Sequence, residues 1–124
     1  MATIDEYLEA ARSRLNRVAP EDLEAALLAG ALLVDIRPEG NRANEGGIPG
    51  AMVIDRGVLE WRVAPSSDYK TVDVEPGQQV ILFCNDGYQS SLAASALMDV
   101  GVDAATDLIG GYRAWMERQE QAKS

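Results

Sequence analysis

Cys84 is the only cysteine in 124 residues, and it stands at the end of the apolar run Val80-Ile81-Leu82-Phe83. That run is rich in strand formers and carries no charge, the pattern of a buried strand. Asn85, Asp86, Gly87, Tyr88 and Gln89 then make a short polar turn around a glycine. Ser90-Ser91 open an apolar segment with helical spacing. The thiol is therefore expected where a strand ends and a helix begins, in a loop whose amides lead into the helix N-terminus. Unpaired amides and the helix dipole both favour negative charge there. A cysteine so placed is favoured as the thiolate, the form that acts as a nucleophile. The chain has no histidine, so no Cys–His or Ser–His pair can form, and activation has to come from backbone and dipole. The plainer alternative is an inert thiol buried on an apolar strand.

Several elements must hold that loop. Thr3-Ile4-Asp5-Glu6 fits a capping box, and Leu8, Ala11, Leu15 and Val18 mark one apolar face of a first helix. Pro20 followed by Glu21 and Asp22 predicts a second helix that stops at Gly30. Ala31 to Ile36 is an apolar run interrupted only by Asp35, as a central parallel strand requires. Pro38 and Gly40 break it, and 41–50 reads as loop. Residues 51–54 read as a short strand, 58–62 as a helical turn and 65–76 as a surface connection. A helix from Ser90 to about Val100, a strand over 105–109 and a helix from Gly110-Gly111 through Trp115 complete the chain. This alternation predicts an α/β fold: one domain whose mostly parallel central sheet is flanked by helices on both faces. The organisation expected is an N-terminal helical extension over 1–19, a domain over 20–116 and a polar, frayed tail over 117–124.

Composition narrows the function classes. A formal charge of −9 opposes nucleic acid or an anionic membrane as the main partner. One cysteine cannot form an internal disulfide, and without histidine the usual metal-ligand clusters are not expected; neither is an organic cofactor. The first nine residues are acidic and lack the apolar stretch of a signal peptide, and no stretch is long enough to span a membrane. A reducing cytoplasm is the expected compartment.

Four motifs, in order, resemble those of the single-domain rhodanese-like sulfurtransferases, over nearly the whole chain from about Pro20 to Trp115. Val34-Asp35-Ile36-Arg37 is similar to the family's first strand motif, Asp-Val-Arg. Gly46-Gly47-Ile48-Pro49-Gly50-Ala51 is similar to its Gly-His-Ile-Pro-Gly-Ala turn. Cys84 to Gln89 matches its six-residue active loop, and Gly110-Gly111-Tyr112-Arg113-Ala114-Trp115 its closing Gly-Gly-aromatic-x-x-Trp. The resemblance implies a persulfide carried on Cys84, taken from a small-molecule or protein-bound sulfane-sulfur donor and passed to a thiol or cyanide acceptor. It assigns the active loop to Asn85, Asp86, Gly87, Tyr88, Gln89 and Ser90.

Three departures bear on the donor. Gly47 replaces the usual histidine, Gln89 replaces the arginine that often closes the loop, and Asp86 adds a negative charge inside it. They predict weak use of thiosulfate. The segment Asp55 to Arg62 resembles a variant from one bacterial branch of the family, and Arg56, Arg62 and Arg42 are candidates to bind the donor. Asp35 and Arg37 are candidate supporting residues. For each arginine the alternative is a solvated charge or a structural ion pair. Asp35 fits binding of loop amides or a nearby arginine better than tuning of the site. Trp61 and Trp115 read as core or rim packing, and Ser90 as a helix cap, a donor to sulfur, or both. Two other functions share these features: a non-enzymatic sulfur carrier or partner-docking module, and phosphatase or arsenate-reductase chemistry. The latter needs a longer loop closed by an arginine that clamps an oxyanion, where this chain has Gln89 and Ser90.

Overall fold

The computed structural model describes residues 1–123. Four segments become strands: β1 (Leu32–Asp35), β2 (Met52–Val53), β3 (Val80–Phe83) and β4 (Ala105–Asp107). They form one parallel sheet in the order β2-β1-β3-β4. Asp35 lies opposite Phe83, and Leu82 opposite Asp107. The carboxyl ends of β1, β3 and β4 are thus level, and the chain reverses its direction of travel across the sheet between β1 and β3. In open parallel sheets that reversal leaves a crevice beyond the strand ends.

Side chains on a strand alternate between faces, and the sheet separates two cores accordingly. Val34, Val80 and Leu82 face Leu59 and Val63 of α4 (Leu59–Val63) and Ala93, Ala94 and Leu97 of α5 (Gln89–Asp99). Leu33, Ile81 and Phe83 face Val18, Leu23 of α2 (Leu23–Leu28), Ile48, Leu108 and Tyr112 of α6 (Gly111–Ala122). β3 is fully buried along its length. The expected fold, a parallel sheet with helices on both faces, is the one observed.

Helix α1 (Ile4–Arg12) begins with the expected capping box: Glu6 N donates to Thr3 Oγ1 at 3.1 Å, and Thr3 N donates to Glu6 Oε1 at 3.0 Å. It packs on α5. Beyond it Val18 joins the sheet's edge, its N–H donating to the Asp107 carbonyl at 3.0 Å and its carbonyl accepting from Ile109 N at 2.8 Å. The segment 1–19 is thus bonded into the domain.

Three expectations need correction. Leu8, Ala11, Leu15 and Val18 do not share one helix face, because α1 ends at Arg12, Leu15 packs on the first core and Val18 belongs to the second. Residues 41–50 are not all loop, because α3 spans Glu39–Glu45 after Pro38. Its sequence is polar on every side, so no apolar stripe announced it. The C-terminal segment is not frayed from Glu117 onward: α6 continues to Ala122, and only Ser124 of the expected tail lies outside the described residues. Trp115 packs on the second core, its ring 5.8 Å from that of Tyr112, whereas Trp61 is 57 % exposed. No helix among the described residues is long and apolar enough to cross a membrane.

Candidate functional site

Cys84 follows the last residue of β3 and is half-buried at the sheet's carboxyl edge. The chain then turns through Asn85–Tyr88 into α5, and Gly87 makes the turn with φ +87°. Its N–H donates to Cys84 Sγ at 3.2 Å, and the thiol donates to Ser90 Oγ at 3.4 Å. One amide and one hydroxyl therefore converge on the sulfur, at the start of an eleven-residue helix. A backbone N–H and the dipole of that helix both stabilise negative charge on the sulfur.

Helix α6 supports the loop from beneath. Tyr112 N donates to the Cys84 carbonyl at 2.8 Å and Arg113 N to the Asn85 carbonyl at 3.0 Å. This approach requires glycine twice over. A Cβ on Gly111 would run into the Cys84 carbonyl, and one on Gly87 would lie 2.8 Å from Gly110 N. The Gly110-Gly111 pair thus lets the active loop and the last helix share one backbone-to-backbone contact.

On one flank stands a buried polar network that the sequence reading did not single out. Asp107, at the end of β4, is fully buried. Its Oδ2 accepts from Ser90 Oγ at 2.7 Å and Ser91 Oγ at 2.8 Å, and its Oδ1 from Arg17 Nε at 2.8 Å. Arg12 Nε donates to Ser91 Oγ at 3.0 Å, and its Nη2 to the Gly87 carbonyl at 2.7 Å; Arg17 Nη2 donates to the same carbonyl at 3.2 Å. Ser90 is therefore not the side-chain cap of α5. The helix start carries no side-chain cap bond, and the Ser90 hydroxyl donates to Asp107 while accepting from the thiol, so it is not a donor to sulfur either.

Arg37 is buried as well, which excludes the solvated alternative for this residue. It donates to both oxygens of Asp35 (3.0 and 2.8 Å), to the Gly46 carbonyl at 2.7 Å and to Asn85 Oδ1 at 3.1 Å. Its guanidinium lies over the rings of Phe83 and Tyr112. Asp35 also accepts from Arg37 N at 3.0 Å, so it binds the nearby arginine, as expected. Through Asn85 this pair reaches the active loop.

The opposite flank is exposed. Asn85 Nδ2 donates to Glu45 Oε2 at 2.8 Å, while Arg113 bridges Glu45 (3.1 Å) and Asp86 (2.9 Å). The hydrogen bond from Arg113 holds the Glu45 carboxyl below its usual range, and the same carboxylates raise Arg113. Asp86 is thus no unopposed charge within the loop, as the sequence suggested: it is half-exposed and paired. Tyr88 and Gln89 are exposed as well.

The remaining candidate arginines bond within their own neighbourhoods. Arg42 Nη1 donates to the Arg37 carbonyl, Arg56 Nη1 to Glu60 at 2.8 Å, and Arg62 Nη1 to the Tyr69 carbonyl at 3.1 Å. The Nε of Arg56 is buried without a hydrogen-bond partner.

The fold and site define an α/β domain with a single cysteine presented by a strand-to-helix loop at the sheet's carboxyl edge. Residues 19–118 match the model of the family described as the rhodanese-like domain, and the chain belongs to that family. It is similar to a protein of Stutzerimonas stutzeri (strain A1501) named thiosulfate sulfurtransferase GlpE, with 32% identity over 81% of this chain and 84% of the relative. A protein of the same name from Pseudomonas fluorescens (strain SBW25) is 31% identical over 83% and 86% of the two chains. Among solved structures, a Rhodopseudomonas palustris CGA009 protein of unknown function, described as a possible tyrosine phosphatase, superposes with a TM-score of 0.82. Its identity is 28%, over 96% of this chain and 92% of that one. The human single-domain sulfurtransferase TSTD1 superposes with a TM-score of 0.68 and 26% identity, over 82% of this chain and 96% of that one.

Proposed function

We propose that this protein is a sulfurtransferase that carries a persulfide on Cys84 between a sulfane-sulfur donor and a thiophilic acceptor. In the first step the Cys84 thiolate attacks the outer sulfur of the donor. The new Sγ–S bond forms as the donor's S–S bond breaks, and the electron pair leaves with the remainder of the donor, sulfite where the donor is thiosulfate. In the second step a thiol or cyanide attacks the outer sulfur and Cys84 departs as the thiolate. The observation that carries this reading is the Gly87 amide on Sγ at the start of α5, because the Cys84 thiolate needs such stabilisation both as the attacking group and as the group that departs from the persulfide. Loss of the proton to solvent suffices in the absence of a histidine.

Donor choice follows from charge. The chain carries a formal −9, which opposes a dianion such as thiosulfate, and Arg113, the cation on the loop's exposed flank, is already engaged by Glu45 and Asp86. A less charged or protein-bound persulfide suits the site better. Arg42, Arg56 and Arg62 are the candidates for holding a donor at the cleft's rim. The setting we infer is the cytoplasm, where a lone thiol stays reduced. A phosphatase reading lacks its clamp, since Cys84 to Ser90 contains no arginine.

The test is intact-mass measurement after incubation with thiosulfate, a thiosulfonate and a small persulfide. The wild type is expected to gain one sulfur and Cys84→Ser none. Sulfur uptake by Cys84→Ser would overturn the mechanism. Repeated turnover with cyanide or a thiol, rather than a single loading, separates an enzyme from a carrier module.

A further inference from the structure

We infer that Arg12, on the helix that precedes the family-matched residues, is a positioning residue for the sulfur loop, acting through the Gly87 carbonyl. The inference rests on Cys84 being the reacting sulfur. Gly87 is the pivot of the loop: it has φ +87°, its N–H reaches Sγ at 3.2 Å, and its carbonyl accepts from the arginines of the N-terminal segment. A glycine has no side chain to anchor it and the widest backbone freedom of any residue. What fixes its orientation must therefore grip its carbonyl. Arg12 Nη2 does so at 2.7 Å, the shortest of the bonds to that oxygen; Arg17 Nη2 and Ser91 Oγ stand at 3.2 and 3.3 Å. Arg17 is committed chiefly to Asp107, at 2.8 Å.

Two further contacts fix the Arg12 guanidinium. Its Nε donates to Ser91 Oγ at 3.0 Å, and it lies 5.4 Å from the centre of the Tyr88 ring. It thus contacts residues on both sides of the point where the loop becomes α5. It also places a positive charge behind a loop whose own closing residue, Gln89, carries none. Both effects favour the thiolate: a held amide donor and a nearby cation. The other charged groups round the loop are Arg17 with Asp107, Arg37 with Asp35, and Arg113 with Asp86 and Glu45, and none of these ion pairs includes Arg12.

Arg14 supplies the control. It lies two residues further on, and it ties the same segment to α5 through Ser95 and Asp99, at 2.7 and 2.8 Å, with no bond to the loop. Arg12→Gln and Arg14→Gln each remove one guanidinium, but only the first removes a bond to Gly87, the shortest of the three on its carbonyl. The measurements are the iodoacetamide alkylation rate of Cys84 against pH and single-turnover sulfur loading from an uncharged thiosulfonate. Arg12→Gln is expected to react about three- to tenfold more slowly than wild type at neutral pH and to converge with it at alkaline pH, where solvent removes the proton unaided. Arg12→Lys, which keeps the charge and one bond, should fall between them, and Arg14→Gln should match wild type. Equal rates for Arg12→Gln and wild type at every pH would overturn the inference. An equal loss in Arg14→Gln, or a loss in Arg12→Gln that persists at alkaline pH, would also overturn it by reducing the effect to docking or damage. If the wild type takes up no sulfur from any donor, the proposed function fails, while alkylation still decides the role of Arg12.

Discussion

The two flanks of the active loop use the same residue types at very different depths. On the β4 flank Asp107 is fully buried and Arg17 is 17 % exposed; on the α3 flank Arg113 is 54 % and Asp86 51 % exposed. Coulomb attraction between exposed charges is weakened by water and by side-chain entropy, so such pairs contribute little. A buried carboxylate has lost its hydration and depends on each donor that replaced it, so removing one member is costly. One flank is therefore structural support for the loop, and the other is an adjustable electrostatic rim. The difference lies in where the backbone places each acid: Asp107 ends a strand between two cores, whereas Asp86 sits on the outward side of a turn.

Three substitutions probe that contrast, from the largest effect to the smallest. Asp107→Ala leaves Arg17, Ser90 and Ser91 without their shared acceptor, and it is expected to lower stability by about 3–5 kcal/mol in urea unfolding. A loss as small as that of an exposed pair would mean water enters to replace the carboxylate. The second concerns Glu45, whose carboxyl Arg113 holds below its usual value of 4.5. A group with a depressed folded-state pKa contributes stability that is present above the unfolded value and is lost as pH falls through the folded one. Unfolding midpoints measured on the acid side of pH 4.5 should therefore decline less steeply in Arg113→Gln than in wild type. Parallel curves would show that Glu45 owes its shift to another partner. The smallest effect is expected from Asp86→Asn, which should lower the Michaelis constant for thiosulfate by no more than about twofold, and more at low than at high salt, because Arg113 already offsets the charge. A larger drop would place Asp86 in the path of the donor after all.

Where the sequence was informative, the physics was local. Val80 to Phe83 and Ala31 to Ile36 announce buried strands through continuous apolarity, and Thr3 with Glu6 announces a helix start through a spacing that only a helix satisfies. Cys84 was legible because strand, glycine turn and helix start are contiguous. Helix α3 was not, since Glu39 to Glu45 buries no residue and so carries no periodic pattern. Arg12 and Arg17 were beyond reach for a different reason: they meet Gly87 across more than 65 residues of chain, and nothing local distinguishes them from solvated charges. Asp107 could have been found. It is a lone acid within the strand expected over 105–109, a signal like the one that singled out Asp35, and each proves to hold an arginine, half-buried Arg17 and buried Arg37.

The contact between the active loop and the Gly110-Gly111 start of α6 also bears on how this chain could diverge. Carbonyls of Cys84 and Asn85 are met directly by amides of α6, and Gly87 leaves no room for even one extra carbon against Gly110. A residue inserted between Cys84 and Ser90 would have to displace the last helix or break those bonds, while a residue lost would pull Sγ away from the Gly87 amide. Lengthening the loop to house a tetrahedral oxyanion therefore demands compensating change at Gly110-Gly111, on the far side of α5 and β4 in the chain. The two segments are expected to evolve as a unit, so an engineered change of chemistry should randomise both together.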